Sequence, residues 1–365
     1  AVRERLVESV ELRMRSDVPV AFCLSGGVDS GALASIAAKR LRRRIATFSI
    51  IDGDKRYDES DNIRRTVADL ECENVAIEIP RRGALDRLRR LVEYHDAPVY
   101  TLSYYVHALL CEAIAERGYR VVISGVGADE LFTGYYDHFN LHLYEMRDRP
   151  GFADAEAAWT RHVRPLVRNP HLQNPRLYFD DPAFRGHIYL NRDLFADMLC
   201  AGFDEPFTEQ RYCDSLLRNR MLNELLHETI PPILHEDDLN AMRCSLENRS
   251  PYLDTRLCEL ACAIPPEHLI RDGRAKAVLR EAVAGWLNDE VRLDRRKVGF
   301  NAALRSVIDI DDPETRACLL DDGPIFEMVE RERIASLLVE REIPNSVSKF
   351  LFAFVGARIF LDLHG

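Results

Sequence analysis

The run Pro19-Val20-Ala21-Phe22-Cys23-Leu24, followed at once by Ser25-Gly26-Gly27-Val28-Asp29-Ser30, constrains this chain more than any other stretch. The first six residues are apolar and read as a buried strand, and Leu33, Ile36, Ala37 and Leu41 then recur at helical spacing. The glycine pair falls between the two, where a backbone without side chains can approach another group closely. A strand that enters a helix through such a turn aims the unsatisfied N–H groups of the first helical turn at one point. The helix dipole makes that point attractive to an anion. Ser25 and Ser30 add hydroxyl donors. Asp29 is the odd member, because a carboxylate repels a bare phosphate; its presence implies a bridging Mg2+, a hard cation that takes oxygen ligands. The plain alternative is an ordinary glycine turn capped by serine.

The same alternation continues. Strands are expected at 19–24, 45–51, 75–79 and 121–124, with helices over about 60–70, 83–95 and 103–117. Apolar strands separated by helices predict an α/β fold, a parallel sheet with helices on both faces. Ligands of such sheets bind beyond the carboxyl ends of the strands, and both the 25–30 loop and the turn after the fourth strand fall there. From about 137 the strand signals fade and a mainly helical text follows, with an irregular connection at 168–175. The expected organisation is an α/β core over 1–136 and a mainly helical region of the same domain over 137–365.

Composition narrows the partners. The formal charge is −11, with 47% hydrophobic and 30% charged residues. That acidic balance argues against a broad grip on nucleic acid, although Arg42-Arg43-Arg44 and Arg295-Arg296-Lys297 are local basic clusters. Nine cysteines without a Cys-x-x-Cys pair predict reduced thiols and a cytoplasmic setting. No apolar stretch approaches membrane-spanning length and no secretory signal opens the chain.

The pattern of a Walker loop is absent. Ser-Gly-Gly-x-Asp-Ser instead resembles the pyrophosphate loop of ATP pyrophosphatases, which split ATP into AMP and pyrophosphate. The turn Ser124-Gly125-Val126-Gly127-Ala128-Asp129-Glu130-Leu131-Phe132-Thr133-Gly134-Tyr135 is similar to the signature of asparagine synthetases. Thr47-Phe48-Ser49-Ile50, Tyr57-Asp58-Glu59-Ser60, Glu247-Asn248-Arg249-Ser250-Pro251-Tyr252-Leu253-Asp254, Gly273-Arg274-Ala275-Lys276 with Leu279-Arg280-Glu281, and Arg296-Lys297-Val298-Gly299-Phe300 follow in the order of that family.

The resemblance implies an adenine nucleotide α-hydrolase-like fold and an ATP-dependent amide ligase: a carboxylate such as aspartate is adenylated, pyrophosphate leaves, and ammonia gives the amide and AMP. It implies ATP and Mg2+ as cofactors, with Asp29 and Asp129 holding the metal and Lys297 stabilising the phosphates. Ser25, Gly26, Gly27, Ser30, Ser124, Gly125 and Lys276 would line the ATP and pyrophosphate site, and Leu24 and Ile50 would flank the adenine. Glu247 and Arg249 would shape the acceptor pocket. Each has a plainer alternative: an N-cap for Asp129, strand burial for Leu24 and Ile50, an exposed lysine on an amphipathic helix for Lys276, a surface cluster for Lys297, and a structural ion pair for Glu247 and Arg249.

The chain departs from the family at two places. Val126 stands where asparagine synthetases carry glutamate and β-lactam-forming relatives carry tyrosine, and valine does no proton transfer. His95-Asp96-Ala97-Pro98 lacks the family glutamate. The Thr133-Gly134-Tyr135-Tyr136-Asp137-His138 ending with Ser103-Tyr104-Tyr105 resembles amidotransferases of surface-polysaccharide clusters, which makes a sugar uronic acid the alternative acceptor. Lasso-peptide cyclases belong to the same broad group, and a tRNA-modifying pyrophosphatase and a non-catalytic partner module are further alternatives. The chain opens Ala1-Val2-Arg3-Glu4 without the N-terminal cysteine of a glutaminase domain. That domain is therefore expected to be absent from this chain, with ammonia arriving from solution or from a glutaminase domain or subunit.

Overall fold

The computed structural model describes residues 1–54, 58–188, 195–202, 207–296, 302–341 and 343–365. Five strands form one sheet: β1 (Val20–Cys23), β2 (Ala46–Ile51), β3 (Glu73–Glu78), β4 (Val121–Ile123) and β5 (Glu247–Arg249). Their order is β3-β2-β1-β4-β5, and every pairing is parallel. Ala21 lies opposite both Ala46 and Val122, which fixes the register of the three central strands. The chain lays down β1, β2 and β3 in one direction and then returns to place β4 on the other side of β1. The reversal leaves a crevice between the carboxyl ends of β1 and β4, the place where open α/β sheets bind ligands.

Strand alternation sends neighbouring side chains to opposite faces. Phe22 and Ile123 join Leu6, Val10, Leu33 and Ile36, so α1 (Val2–Arg13) and α2 (Val28–Ser35) cover one face. Ala21, Phe48 and Val122 join Leu110, Ile114 and Ala241, so α5 (Leu102–Glu116) and the helix Ile230–Arg243 cover the other. The two edge strands carry charge instead, with Glu73 and Glu78 exposed on β3 and Glu247 exposed on β5. Such residues discourage further strand pairing.

The expected helices are α3 (Ser60–Leu70), α4 (Ala84–His95) and α5. β5 was not expected: its three residues are polar and carry no strand signal, and only the neighbouring β4 makes them a strand. The mainly helical region thus completes the sheet. It also shares a core with the first part, since Leu88, Val92, Leu102 and Tyr105 pack with Leu351, Phe352 and Val355 of the last helix, Asn345–His364. The 168–175 connection holds a single 3-10 turn at His171–Gln173, whose neighbouring carbonyls Leu172 O and Asn174 O accept from Asn140 Nδ2. Among the described residues no helix is long and apolar enough to cross a membrane, and all nine cysteines are free.

Candidate active site

The 25–30 loop is shaped by its own hydroxyls. Ser30 Oγ accepts from Ser25 N at 2.9 Å and lies 3.0 Å from Ser25 Oγ, which in turn accepts from Gly27 N at 3.2 Å. Gly27 caps α2, and Leu24 N donates to Phe48 O at 2.8 Å to hold the end of β1 to β2. The close approach made at Gly26 is to α3: a Cβ there would lie 2.6 Å from Glu59 Cβ, and Gly26 N donates to Glu59 Oε2 at 3.3 Å. Asn62 Nδ2 donates to Gly26 O and to Asp294 Oδ2. Asp294 also binds Arg296, and this ties the loop to the segment that leads to Lys297. Lys297, Val298, Gly299 and Phe300, like Tyr57, lie outside the described residues.

The second loop closes on the first. Ser124 N donates to Arg249 O, and a Cβ at Gly125 would touch Asp29 Cβ and Ser30 N at 3.4 Å, so the two turns lie in contact. Gly127 adopts φ +98°, which glycine enters at little cost, and starts α6 (Ala128–Phe132) with Asp129 and Glu130 in its first turn. Asp29 and Asp129, carried by different loops, meet one cation: Lys276 Nζ lies 2.5 Å from Asp29 Oδ2 and 2.5 Å from Asp129 Oδ1.

Lys276 is the residue the sequence understated. It does not lie on the face of an amphipathic helix; it is 4% exposed and precedes the helix Ala277–Ala282 in a left-handed conformation, φ 59°. Arg280 Nε holds the preceding carbonyl, Ala275 O, at 2.8 Å, and Lys276 N donates to Thr133 Oγ1 at 3.2 Å. Burial works to lower the pKa of Lys276, but the charges of Asp129 and Asp29 outweigh it and push it above its ordinary value, so the ammonium keeps its charge. Glu130 behaves oppositely. Burial first and the neighbouring Asp129 second push its carboxyl up to about 7, while Tyr135 Oη donates to Glu130 Oε1 at 2.5 Å.

The Ser250-Pro251-Tyr252-Leu253 segment buttresses both loops. Tyr252 Oη donates to Asp29 O at 2.9 Å, Ser250 Oγ lies 3.4 Å from Ser124 Oγ, and a Cβ at Gly127 would meet Leu253 Cδ2 at 2.5 Å. Glu247 and Arg249 form their ion pair at 2.8 Å, but Glu247 is exposed and Arg249 Nη1 donates to Arg13 O and Arg15 O. The pair thus fastens β5 to the end of α1. Leu24 is buried in the core beneath the loop, whereas Ile50 is half-buried at the end of β2. His95 points into the protein, between Glu236 Oε2 at 3.1 Å and Asn240 Oδ1 at 3.2 Å, and links α4 to the helix Ile230–Arg243.

Asp29 and Asp129 fit a magnesium ion. Asp29 Oδ1 is buried without a hydrogen-bond partner, an oxygen left for a cation. Two carboxylates completed by substrate phosphates are also how Mg2+ is commonly held. The Lys276 ammonium lies between the two carboxylates and offsets their mutual repulsion.

Behind the second loop lies a buried polar cluster; Asp137 and His138 close the Thr133–His138 motif, but nothing in the sequence linked them to Glu224 or Arg220. In α7 (Tyr136–Met146), His138 is fully buried and its Nε2 lies 2.8 Å from Glu224 Oε2. Arg220 Nε lies 3.1 Å from Glu224 Oε1 and 3.7 Å from Asp137 Oδ2, and Arg220 also binds Glu209 and Glu228. His187 Nε2 lies 3.2 Å from Asp137 Oδ2, and Arg185 Nη2 lies 2.6 Å from Glu209 Oε2. Burial acts to raise the carboxyl of Asp137, yet His138, His187 and Arg220 hold it well below the carboxylate range. For Glu224 burial prevails and its pKa is raised.

A family model described as asparagine synthase matches residues 1–349. Over 355 residues the chain is 27% identical to "Asparagine synthetase [glutamine-hydrolyzing] 1" of Bacillus subtilis, covering 92% of this chain and 55% of that protein. It is 25% identical over 343 residues to "Amidase chyE" of Penicillium rubens, covering 80% and 50%. A "Putative asparagine synthetase [glutamine-hydrolyzing]" of Mycobacterium bovis is 26% identical over 324 residues, covering 82% and 47%. The chain spans about half the length of these curated relatives.

Proposed function

Because the chain belongs to the asparagine synthase family, we propose that it carries the synthetase chemistry of an ATP-dependent, AMP-forming amide ligase. The observation that supports this most is the meeting of Asp29 and Asp129 on Lys276, at the crevice between the carboxyl ends of β1 and β4. An acceptor carboxylate attacks the α-phosphorus of ATP, the bond to the β-phosphate oxygen breaks, and pyrophosphate leaves. Ammonia then attacks the acyl-adenylate carbonyl, and AMP leaves with the amide formed.

The residues of the chain divide this work. The N–H groups at the start of α2 and the hydroxyls of Ser25 and Ser30 receive the pyrophosphate, with Ser124 and Gly125 beside them. Lys276 keeps a fixed positive charge where negative charge gathers on the leaving group, and such preorganised charge is worth several kcal/mol of barrier. Lys297, whose role is implied by the family motif Arg296-Lys297-Val298-Gly299-Phe300, would add a second cation for the phosphates. Bound Mg2+, held by Asp29 and Asp129, would supply charge neutralisation on the phosphates. Tyr252 and Leu253 keep both loops in register for the reaction.

On the acceptor side, Val126 lies half-buried in the turn after β4, where it offers neither a proton nor a charge. This favours an acceptor that brings its own positioning contacts, with a sugar uronic acid as the alternative to free aspartate. Ammonia reaches the site from solution or from a glutaminase partner. The test is release of pyrophosphate and AMP from ATP and Mg2+ with ammonium, measured with L-aspartate and separately with glucuronate. Acceptor-dependent pyrophosphate is the expected result. ADP and phosphate in its place would overturn the reading.

A further inference from the structure

Asp137, His138 and Glu224 bring ligand-type atoms within 4.8 Å of one another, the one such buried group found among the described residues. A metal is not needed there, because the Arg220 guanidinium already lies between Glu224 and Asp137 and supplies the positive charge. The cluster instead reaches towards the reaction centre through one backbone bond. Gly134 N donates to His138 Nδ1 at 3.2 Å.

That bond settles how the imidazole is used. A backbone N–H can only donate, so Nδ1 presents its lone pair, and the ring proton sits on Nε2, directed at Glu224 Oε2 2.8 Å away. The ring is fixed at both nitrogens, with Glu224 held in turn by Arg220. What it holds is the Thr133–Gly134 turn, which touches two of the three charged members of the site, Asp129 and Lys276. A Cβ on Gly134 would fall 1.5 Å from Asp129 Oδ1, the same oxygen that meets Lys276 Nζ. Thr133 Oγ1 accepts from Lys276 N. Thr133 also sits at φ 71°, a conformation that a β-branched residue adopts only under constraint from its surroundings. A strained turn pressed against a carboxylate needs something behind it, and the structure supplies His138.

We infer that His138, clamped by Glu224, is a positioning residue that holds the Thr133–Gly134 turn against Asp129 and so sets the spacing of Asp129 and Lys276 for the magnesium nucleotide. It does not touch the reacting atoms. The role rests on the pyrophosphate-releasing function proposed above, and binding and turnover are therefore to be read separately.

The experiment compares wild type with His138→Leu, His138→Asn and Glu224→Gln, each confirmed folded by near-ultraviolet circular dichroism. The first readout is the Mg2+ concentration that gives half-maximal binding of a non-hydrolysable ATP analogue; the second is kcat for pyrophosphate release. His138→Leu removes the acceptor for Gly134 N–H, and its Mg2+ midpoint is expected to rise about tenfold, the equivalent of one lost buried hydrogen bond. His138→Asn keeps an oxygen near the Nδ1 position and is expected to recover most of that shift. Glu224→Gln keeps an acceptor for the ring proton and is expected to stay within about threefold of wild type, the smaller cost of making that bond neutral. If the leucine variant does not fold, the asparagine and glutamine variants decide, and midpoints more than tenfold above wild type in both overturn the inference. A folded leucine variant with the wild-type midpoint overturns it as well. Wild type that binds nucleotide but releases no pyrophosphate would remove the functional reading and leave the Mg2+ midpoints to judge the latch alone.

Discussion

In the α/β part each charged residue of the site is placed by its immediate neighbours. Asp29 follows the Gly26-Gly27 pair by two residues, Asp129 follows Gly127 by two, and serine hydroxyls within the same loop set the turn. Behind them, in the helical part, His138 and Glu224 meet across 86 positions of sequence, and Arg220 gathers Glu209, Glu224, Glu228 and Asp137 from a helix, the turns beside it and α7. The first arrangement leaves Asp29 Oδ1 buried without a partner, as the cation site proposed above requires. The second is closed on itself and satisfies its charges internally. If the proposed function holds, the contrast separates residues that cost stability to do chemistry from residues that stabilise the frame around them.

Substitution of Asp29 tests the first side of that contrast and carries the largest effect. Asp29→Asn keeps the shape and the Lys276 contact but removes a carboxylate from the cation site. Pyrophosphate release is expected to fall about 10³-fold, the range seen when a preorganised electrostatic contact to a reacting centre is lost. The urea midpoint should move little, since one charge of an imperfectly satisfied group has gone. A fall in stability with activity retained would place Asp29 among the frame residues and collapse the distinction.

Arg220→Met tests the other side, with the readouts reversed. The guanidinium is 5% exposed and faces four carboxylates. Its removal leaves buried negative charge uncompensated, for which about 3 kcal/mol of lost stability is expected in urea unfolding. Any fold that survives should still bind nucleotide through the two loops. Unchanged stability would mean that water or protonation had replaced the arginine, and the cluster would then not be the closed structural unit described above.

The same contrast explains what could be read from the sequence. The strand–turn–helix units, the two glycine loops and the helices α3 to α5 are legible because turn chemistry and apolar period are local properties. The ends of these elements agree with the structure to within a few residues; β3, for example, runs Glu73–Glu78 where 75–79 was expected. β5 was not legible, because Glu247-Asn248-Arg249 becomes a strand only beside β4. Lys276 was visible as a residue but its setting was not: the left-handed backbone and the burial depend on Thr133, Asp29 and Asp129, all far away in sequence. The His138–Glu224 pair had no signal, since one histidine and one glutamate on two helices look like surface residues until the helices pack.

Within α7 the contrast can be sharpened to two histidines one turn apart. His138 is surrounded by Glu224 and Asp137; burial acts against its charge, but these carboxylates raise its pKa. His142 is also buried and its Nε2 has no hydrogen-bond partner, with the charge of Glu267 acting to raise its pKa. Burial therefore wins and lowers the pKa of His142 to about 4 from an ordinary value of 6.5. A histidine whose folded pKa is depressed binds protons better when unfolded. Its contribution is complete above pH 6.5 and is lost as the pH falls from there towards 4. Between pH 7 and pH 5 the loss should reach about 2 kcal/mol. His142→Leu removes the titrating ring and should flatten urea stability over that interval, while nucleotide binding at pH 7 stays near wild type. A variant with the same acid slope as wild type would shift the cause to groups outside the His138 cluster, because the raised pKa of His138 makes its own contribution grow on acidification, and the two histidines of α7 would no longer stand as opposites.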